Sequence, residues 1–110
     1  METPWGRWSV LETGDNFQVK LLEVDPGQRL SYQRHQHREE HWVVLSGTAT
    51  VTNRGRTSTV SRTGTTFMEK MVPHRVENRG DVPLLILESQ FGDYLGEDDI
   101  ERLEDDYGRV

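Results

Sequence analysis

All four histidines of this chain fall in two short segments, His35, His37 and His41 in the first and His74 alone in the second. Side chains two residues apart on a strand share a face, so Gln33, His35 and His37 are expected to project together. Glu40 or His41 follows after a short bend and is placed to return a fourth group to the same point. His74 opens a later strand, just after Pro73. Imidazole nitrogens with a carboxylate suit one divalent transition-metal ion, Zn, Mn, Fe, Co or Ni. Ca and Mg prefer all-oxygen shells. A single histidine is usually a surface or hydrogen-bonded core residue. A His-X-His pair, a carboxylate three positions on and a distant histidine after a turn together read as a metal centre. The absence of cysteine excludes thiolate ligands, thiol nucleophiles and disulfides.

Something must hold these groups in place, and the punctuation of the chain says what. Gly14-Asp15, Pro26-Gly27, Gly47, Asn53-Arg54-Gly55, Gly64, Pro73 and Gly80-Asp81 cut it into short runs rich in Val, Thr, Leu, Phe and Trp. Regular turns between β-prone runs predict an all-β sandwich or barrel. Strands are expected at Trp8–Leu11, Phe17–Val24, Leu30–Gln36, His41–Leu45, Thr48–Thr52, Thr57–Val60, Thr66–Glu69, His74–Glu77 and Leu84–Gln90. After Gly96, Glu97–Glu104 is expected to form one short acidic helix with Ile100 and Leu103 as its contacts. One domain spanning 1–110 is expected, with a barrel core over about 5–92 and an acidic extension over 93–110.

Composition narrows the partners. Hydrophobic residues make up 33% of the chain and charged residues 29%, so the core must be thin. The net charge of -6 resides in residues 93–110, where eight acids face Arg102 and Arg109; the rest holds eleven acids and eleven bases. No basic excess marks a nucleic-acid surface. No apolar run is long enough to cross a bilayer, and Met1 to Trp8 lacks a signal-peptide pattern. Cytoplasmic residence without membrane or nucleic-acid partners is therefore expected. A thin core and open sheet edges would both be relieved by homodimer formation. Trp5, Trp8 and Trp42 read first as core or dimer-contact residues and second as stacking platforms for a ligand.

The segment Gly27–Ala49, with Gln33-Arg34-His35-Gln36-His37-Arg38-Glu39-Glu40-His41-Trp42 and then Val43-Val44-Leu45-Ser46-Gly47-Thr48-Ala49, resembles the first cupin motif. Its form is similar to that of the C-terminal cupin domain of type II phosphomannose isomerases, a domain often fused behind a mannose-1-phosphate guanylyltransferase. Pro4-Trp5-Gly6-Arg7-Trp8 and Gly92-Asp93-Tyr94-Leu95-Gly96-Glu97-Asp98-Asp99-Ile100 resemble that family's beginning and end. In the second motif Gly64, Pro73-His74-Arg75 and Glu77-Asn78 fit, but Glu69-Lys70-Met71 stands where a Pro-X-Gly turn is usual. The loop there is expected to take another shape, with Glu69 and Lys70 as charges at a pocket rim.

The resemblance implies a single cupin barrel, that is, a double-stranded β-helix or jelly roll. It implies metal ligands His35, His37, Glu40 and His74, with His41 an alternative to Glu40 and Gln33 a further or supporting group. It implies an isomerase of mannose 6-phosphate and fructose 6-phosphate working through an enediol, with the catalytic roles sought at Arg38, Glu40 and His41. Arg38 and His41 read equally well as a surface arginine and an outward histidine. The phosphate would be met by Arg75, Lys70 or Arg38. Two other classes fit the same residues: a non-catalytic cupin that binds or senses a sugar or small metabolite, and an Fe(II) dioxygenase.

Overall fold

Turn residues divide the chain into eleven strands in the computed structural model, which describes residues 1–110. They are β1 (Glu2–Thr3), β2 (Gly6–Thr13), β3 (Phe17–Val24), β4 (Tyr32–Arg34), β5 (Arg38–Ser46), β6 (Ala49–Asn53), β7 (Arg56–Val60), β8 (Thr65–Met68), β9 (His74–Glu77), β10 (Leu84–Gly92) and β11 (Glu101–Glu104). Two antiparallel sheets result, one in the order β1-β2-β3-β10-β5-β8 and one in the order β11-β4-β9-β6-β7. This is the expected jelly-roll barrel.

Period-two alternation decides what lies between the sheets. β3 turns Lys20, Leu22 and Val24 inward, β5 turns Arg38, Glu40, Trp42 and Val44, and β10 turns Leu84, Ile86, Glu88 and Gln90. Register sorts these into rows across the first sheet: Val24 beside Leu84, then Leu22–Ile86–Val44, then Lys20–Glu88–Trp42, then Gln90–Glu40. Successive rows thus pass from wholly apolar to wholly polar. The second sheet follows suit, with Val51 beside Val76 at the apolar end and Gln33 beside His74 at the polar end. Twelve buried hydrophobic side chains form the core, against thirteen buried polar or charged ones. Burying charge costs free energy unless it is paired, so one half of the barrel provides stability and the other is built for something else.

The acidic segment departs from expectation. No helix forms over Glu97–Glu104; Glu101–Glu104 is an edge strand paired with β4, and residues 93–110 are wrapped onto the barrel. A helix this short is marginal alone and had only Ile100 and Leu103 to anchor it. As a strand it gains ladder bonds, and Glu101 and Glu104 reach Arg34 and Arg75. The strand expected over Leu30–Gln36 is also shorter. It stops at Arg34, and the chain bends at Gln36 and His37 before β5 begins in the other sheet.

Candidate metal centre and cavity

The bend after Arg34 decides which histidines meet. His35 still points inward and is buried, whereas His37 is exposed and sets its ring edge-on to Tyr94, 5.8 Å between centroids. Strand alternation, on which the joint projection of His35 and His37 rested, does not continue through a bend. The cluster that does form is His35, Glu40 and His74, with one ligand atom from each within 4.8 Å of the others. Glu40 is supplied by the inward face of β5. His41, its neighbour, therefore points outward, between Ser89 and Phe67 on the flanking strands. Of the two alternatives, Glu40 and not His41 stands beside the buried histidines.

Both imidazoles present the same nitrogen to the carboxylate. His35 Nδ1 lies 2.6 Å from the Asp99 carbonyl and His74 Nδ1 3.2 Å from the Val72 carbonyl. A carbonyl can only accept, so each Nδ1 carries a proton, and in the neutral imidazole each Nε2 is left with its lone pair. His35 Nε2 stands 3.3 Å from Glu40 Oε2, and His74 Nε2 stands 3.5 Å from Glu40 Oε1. Lone pairs facing a carboxylate repel unless something positive lies between them. His74 Nε2 is buried without a hydrogen-bond partner, the kind of vacancy in the hydrogen-bond accounting that a cation explains. Atoms held about 2.0–2.1 Å from one tetrahedral ion sit roughly 3.4 Å apart, which matches both spacings. The residues present fit a divalent metal. Gln33, buried and paired across the ladder with His74, shares its face of the second sheet.

Electrostatics keep the donor set ready. Burial alone would push the Glu40 carboxyl up, but a hydrogen bond from His74 and the positive charge of His35, when these rings are protonated, together with that of Arg38 outweigh it and hold it well below the usual carboxylate range. Burial, aided by Arg38 and His74, pushes His35 down, so its imidazole is neutral. Arg38 is no surface residue: it is 6% exposed and its Nε donates to Glu40 Oε2 at 2.7 Å. Glu88, on the neighbouring strand, goes the other way. Burial, reinforced by the charge on Glu40, pushes its carboxyl up to about 8. Trp42 Nε1 donates to one of its oxygens at 3.0 Å and Gln90 Nε2 to the other at 2.6 Å.

His35, Arg38, Glu40, Trp42 and Glu88 line a cavity of about 320 Å³ together with Trp5, Trp8, Lys20, Ser31, Gln33 and residues from both ends of the chain, among them Met1, Arg102 and Arg109, while His74 and Gln90 lie behind its wall. Trp5 and Trp42 belong to the core as expected, and their edges also reach the cavity. Arg75 and Lys70 do not. Arg75 follows His74 on β9 and so faces away; it is buried under β11, with its Nε donating to the Leu30 carbonyl and its Nη1 to Glu104. Lys70 is exposed on the loop before β9, and Glu69 pairs with Arg54 rather than lining a pocket. In that loop Met71 adopts φ 66°, where glycine would be at ease, and its N–H donates to the His35 carbonyl at 2.7 Å.

Asp99 went unnoticed in the sequence. It lay within an acidic run that read as a solvated face, yet it is 7% exposed. Its two carboxylate oxygens accept the backbone N–H groups of Gln36 and His37, both at 2.9 Å, while its carbonyl holds His35. One residue thus fixes the bend and orients the ligand. Lys20, Glu88 and Gln90 were also missed, although each sits at an inward position of a strand whose apolar partners were legible.

With this geometry in view, comparison with known proteins is decisive. Residues 1–105 match the family model described as mannose-6-phosphate isomerase C-terminal. The chain belongs to that family. It is 52% identical over 107 residues to the alginate biosynthesis protein AlgA of Pseudomonas aeruginosa, covering 97% of this chain and 22% of the relative. It is 48% identical over 107 residues to the xanthan biosynthesis protein XanB of Xanthomonas campestris, covering 97% and 23%. With mannose-1-phosphate guanylyltransferase ManC of Salmonella typhimurium the identity is 44%, covering 97% and 22%. The family member described here therefore spans about a fifth of the length of these relatives. Among solved structures, it is similar to a double-stranded β-helix protein of Klebsiella pneumoniae (TM-score 0.76, 21% identity, 87% of this chain and 77% of that one). It is also similar to an oxalate decarboxylase of Lactobacillus farciminis (TM-score 0.81, 19% identity, 94% and 32%). At such identities these likenesses speak for the cupin fold alone.

Proposed function

We propose that the cavity is a metal-dependent aldose–ketose isomerase site that interconverts mannose 6-phosphate and fructose 6-phosphate. The observation that carries this reading is the His35–Glu40–His74 donor set, opening on a cavity whose wall also holds a charged and a neutral carboxylic acid. Membership of the family supports the substrate class. A divalent metal held by these residues, with Gln33 beside them, would polarise the sugar carbonyl and stabilise the oxygen charge that develops.

The chain's own groups would do the rest. The reaction moves one proton between C2 and C1, and a second between the O1 and O2 oxygens, by way of an enediol. Glu40, kept ionised, accepts at Oε2 from Arg38, which fixes the carboxylate plane. Glu88 is the protonated partner: its acidity near neutrality suits a group that gives and takes back a proton. Arg38 Nη1 is buried without a partner and lines the cavity, so it is free to donate to a substrate oxygen. Trp42 holds Glu88 from behind, and Trp5 and Trp8 offer apolar faces that exclude water. His41 has no part, since it faces outward.

The test is direct. Protein loaded in turn with Zn, Mn, Fe, Co or Ni and mixed with mannose 6-phosphate should yield fructose 6-phosphate. Absence of turnover with every metal would overturn the proposal, and tight sugar-phosphate binding without turnover would favour a non-catalytic cupin.

A further inference from the structure

Four cationic side chains line the cavity, and three have an ion-pair partner within the chain. Arg38 pairs with Glu40, Lys20 with Glu97, and Arg109 forms a two-pronged pair with Asp105. Arg102 is the fourth. It makes no ion pair, and its Nε is buried without a hydrogen-bond partner. Asp105, the acid close enough to feel its charge, is committed to Arg109. Leaving a guanidinium donor buried and unpaired costs free energy, and an anion entering the cavity would satisfy it.

Placement in the ladder fixes where that anion would sit. Arg102 lies directly opposite Gln33 across β11 and β4, and directly paired residues share a face. Ser31, two positions before Gln33, points the same way; it is 1% exposed and its Oγ also lacks a partner. Both line the cavity, from the second sheet, while Lys20 lines it from the first. Lys20 is 3% exposed, stacks its ammonium 3.9 Å from the Trp8 ring centre, and is paired only with Glu97, an exposed residue able to swing aside.

We propose that Arg102, with Ser31 Oγ and Lys20, forms the subsite for the phosphate group of the substrate. This rests on the sugar-phosphate reading above and replaces Arg75 and Lys70 in that role. A guanidinium fork matches two phosphate oxygens at once, and a hydroxyl and an ammonium complete the set. The tail that looked like a solvated acidic face thereby supplies the group that tells a phosphorylated sugar from a plain one.

Binding to the whole chain, followed by the fluorescence of Trp5, Trp8 and Trp42 and by calorimetry, tests this with inorganic phosphate, mannose 6-phosphate and unphosphorylated mannose as probes. Arg102→Gln should weaken mannose 6-phosphate and inorganic phosphate binding about 10- to 100-fold, leave mannose binding unchanged and leave metal content unchanged. Arg102→Lys, which keeps the charge and loses the fork, should fall between, and covers the case in which the glutamine variant does not fold. Ser31→Ala should show a smaller loss of the same selectivity. Equal mannose 6-phosphate binding by wild type and the Arg102 variants would overturn the subsite even if the enzyme isomerises. Selective phosphate loss in a protein that never isomerises would uphold the subsite and sink the isomerase reading. A wild type that binds neither phosphate probe would overturn the subsite outright.

Discussion

At the scale of single residues, Asp99 and Met71 do more for the centre than their types suggest. Asp99 satisfies two backbone donors at the bend and holds His35 by its carbonyl. Asp99→Ala should cost about 2–4 kcal/mol of stability, from two charge-assisted bonds, and weaken metal binding roughly 10- to 100-fold. Urea unfolding and metal titration read the two effects separately. Met71 is half exposed and held at a φ that costs an L-residue about 1–2 kcal/mol. Met71→Gly relieves that strain but adds freedom to the unfolded chain, so a net gain of about 0.5–1 kcal/mol is expected in chemical denaturation, with the bond to the His35 carbonyl kept. Neither residue's role was legible. Asp99 lay in a charge run, where exposure is the ordinary reading, and Met71 stood in for a glycine with no local pattern to mark the turn. The imidazole pair was legible only in part, because i,i+2 spacing implies a shared face for as long as a strand continues, and nothing local announced the end at Arg34.

At the scale of elements, β11 is where sequence reading and structure diverge most. The strands from Phe17 to Val24 and from His74 to Glu77 were readable to their ends, since turn residues bracket runs of the right length. Glu101–Glu104 carries no β-branched residue and no alternation strong enough to outweigh its helix-favouring composition. Its pairing partner lies nearly seventy positions earlier, on the edge of the second sheet. Tertiary pairing decided the matter: Arg34 and Arg75 await acids there. The two contacts are unequal, because Arg75 is buried while Arg34 is a third exposed. Glu104→Gln should destabilise by about 1–2 kcal/mol by leaving a buried guanidinium poorly matched. Glu101→Gln should cost under about 1 kcal/mol, as exposed pairs do. Parallel thermal melts of the two variants test the ordering.

Across the whole molecule, the passage from apolar to polar rows makes stability depend on pH in a definite direction. Glu88 has an ordinary carboxyl value of 4.5 when unfolded and about 8 in the folded barrel, because burial and the nearby Glu40 charge disfavour its ionised form. Between those values the folded state binds the extra proton, so this group's contribution is fully present below about pH 4.5 and is lost as pH rises toward 8. Glu88→Gln should flatten that fall, which has a limiting slope of about 1.4 kcal/mol per pH unit for one proton; denaturation midpoints at pH 5, 6.5 and 8 give the comparison. The site as a whole draws on side chains from Lys20 to Arg109, and both chain ends reach its mouth: Met1 and Arg109 each form part of the wall, and the amino terminus donates to the Trp8 carbonyl at 2.8 Å. Any bulky group introduced beside Met1 or Arg109 would narrow the cavity whose wall those residues form. The exposed hairpin tip at Arg54-Gly55, which no wall of the cavity includes, is the better place for such an insertion.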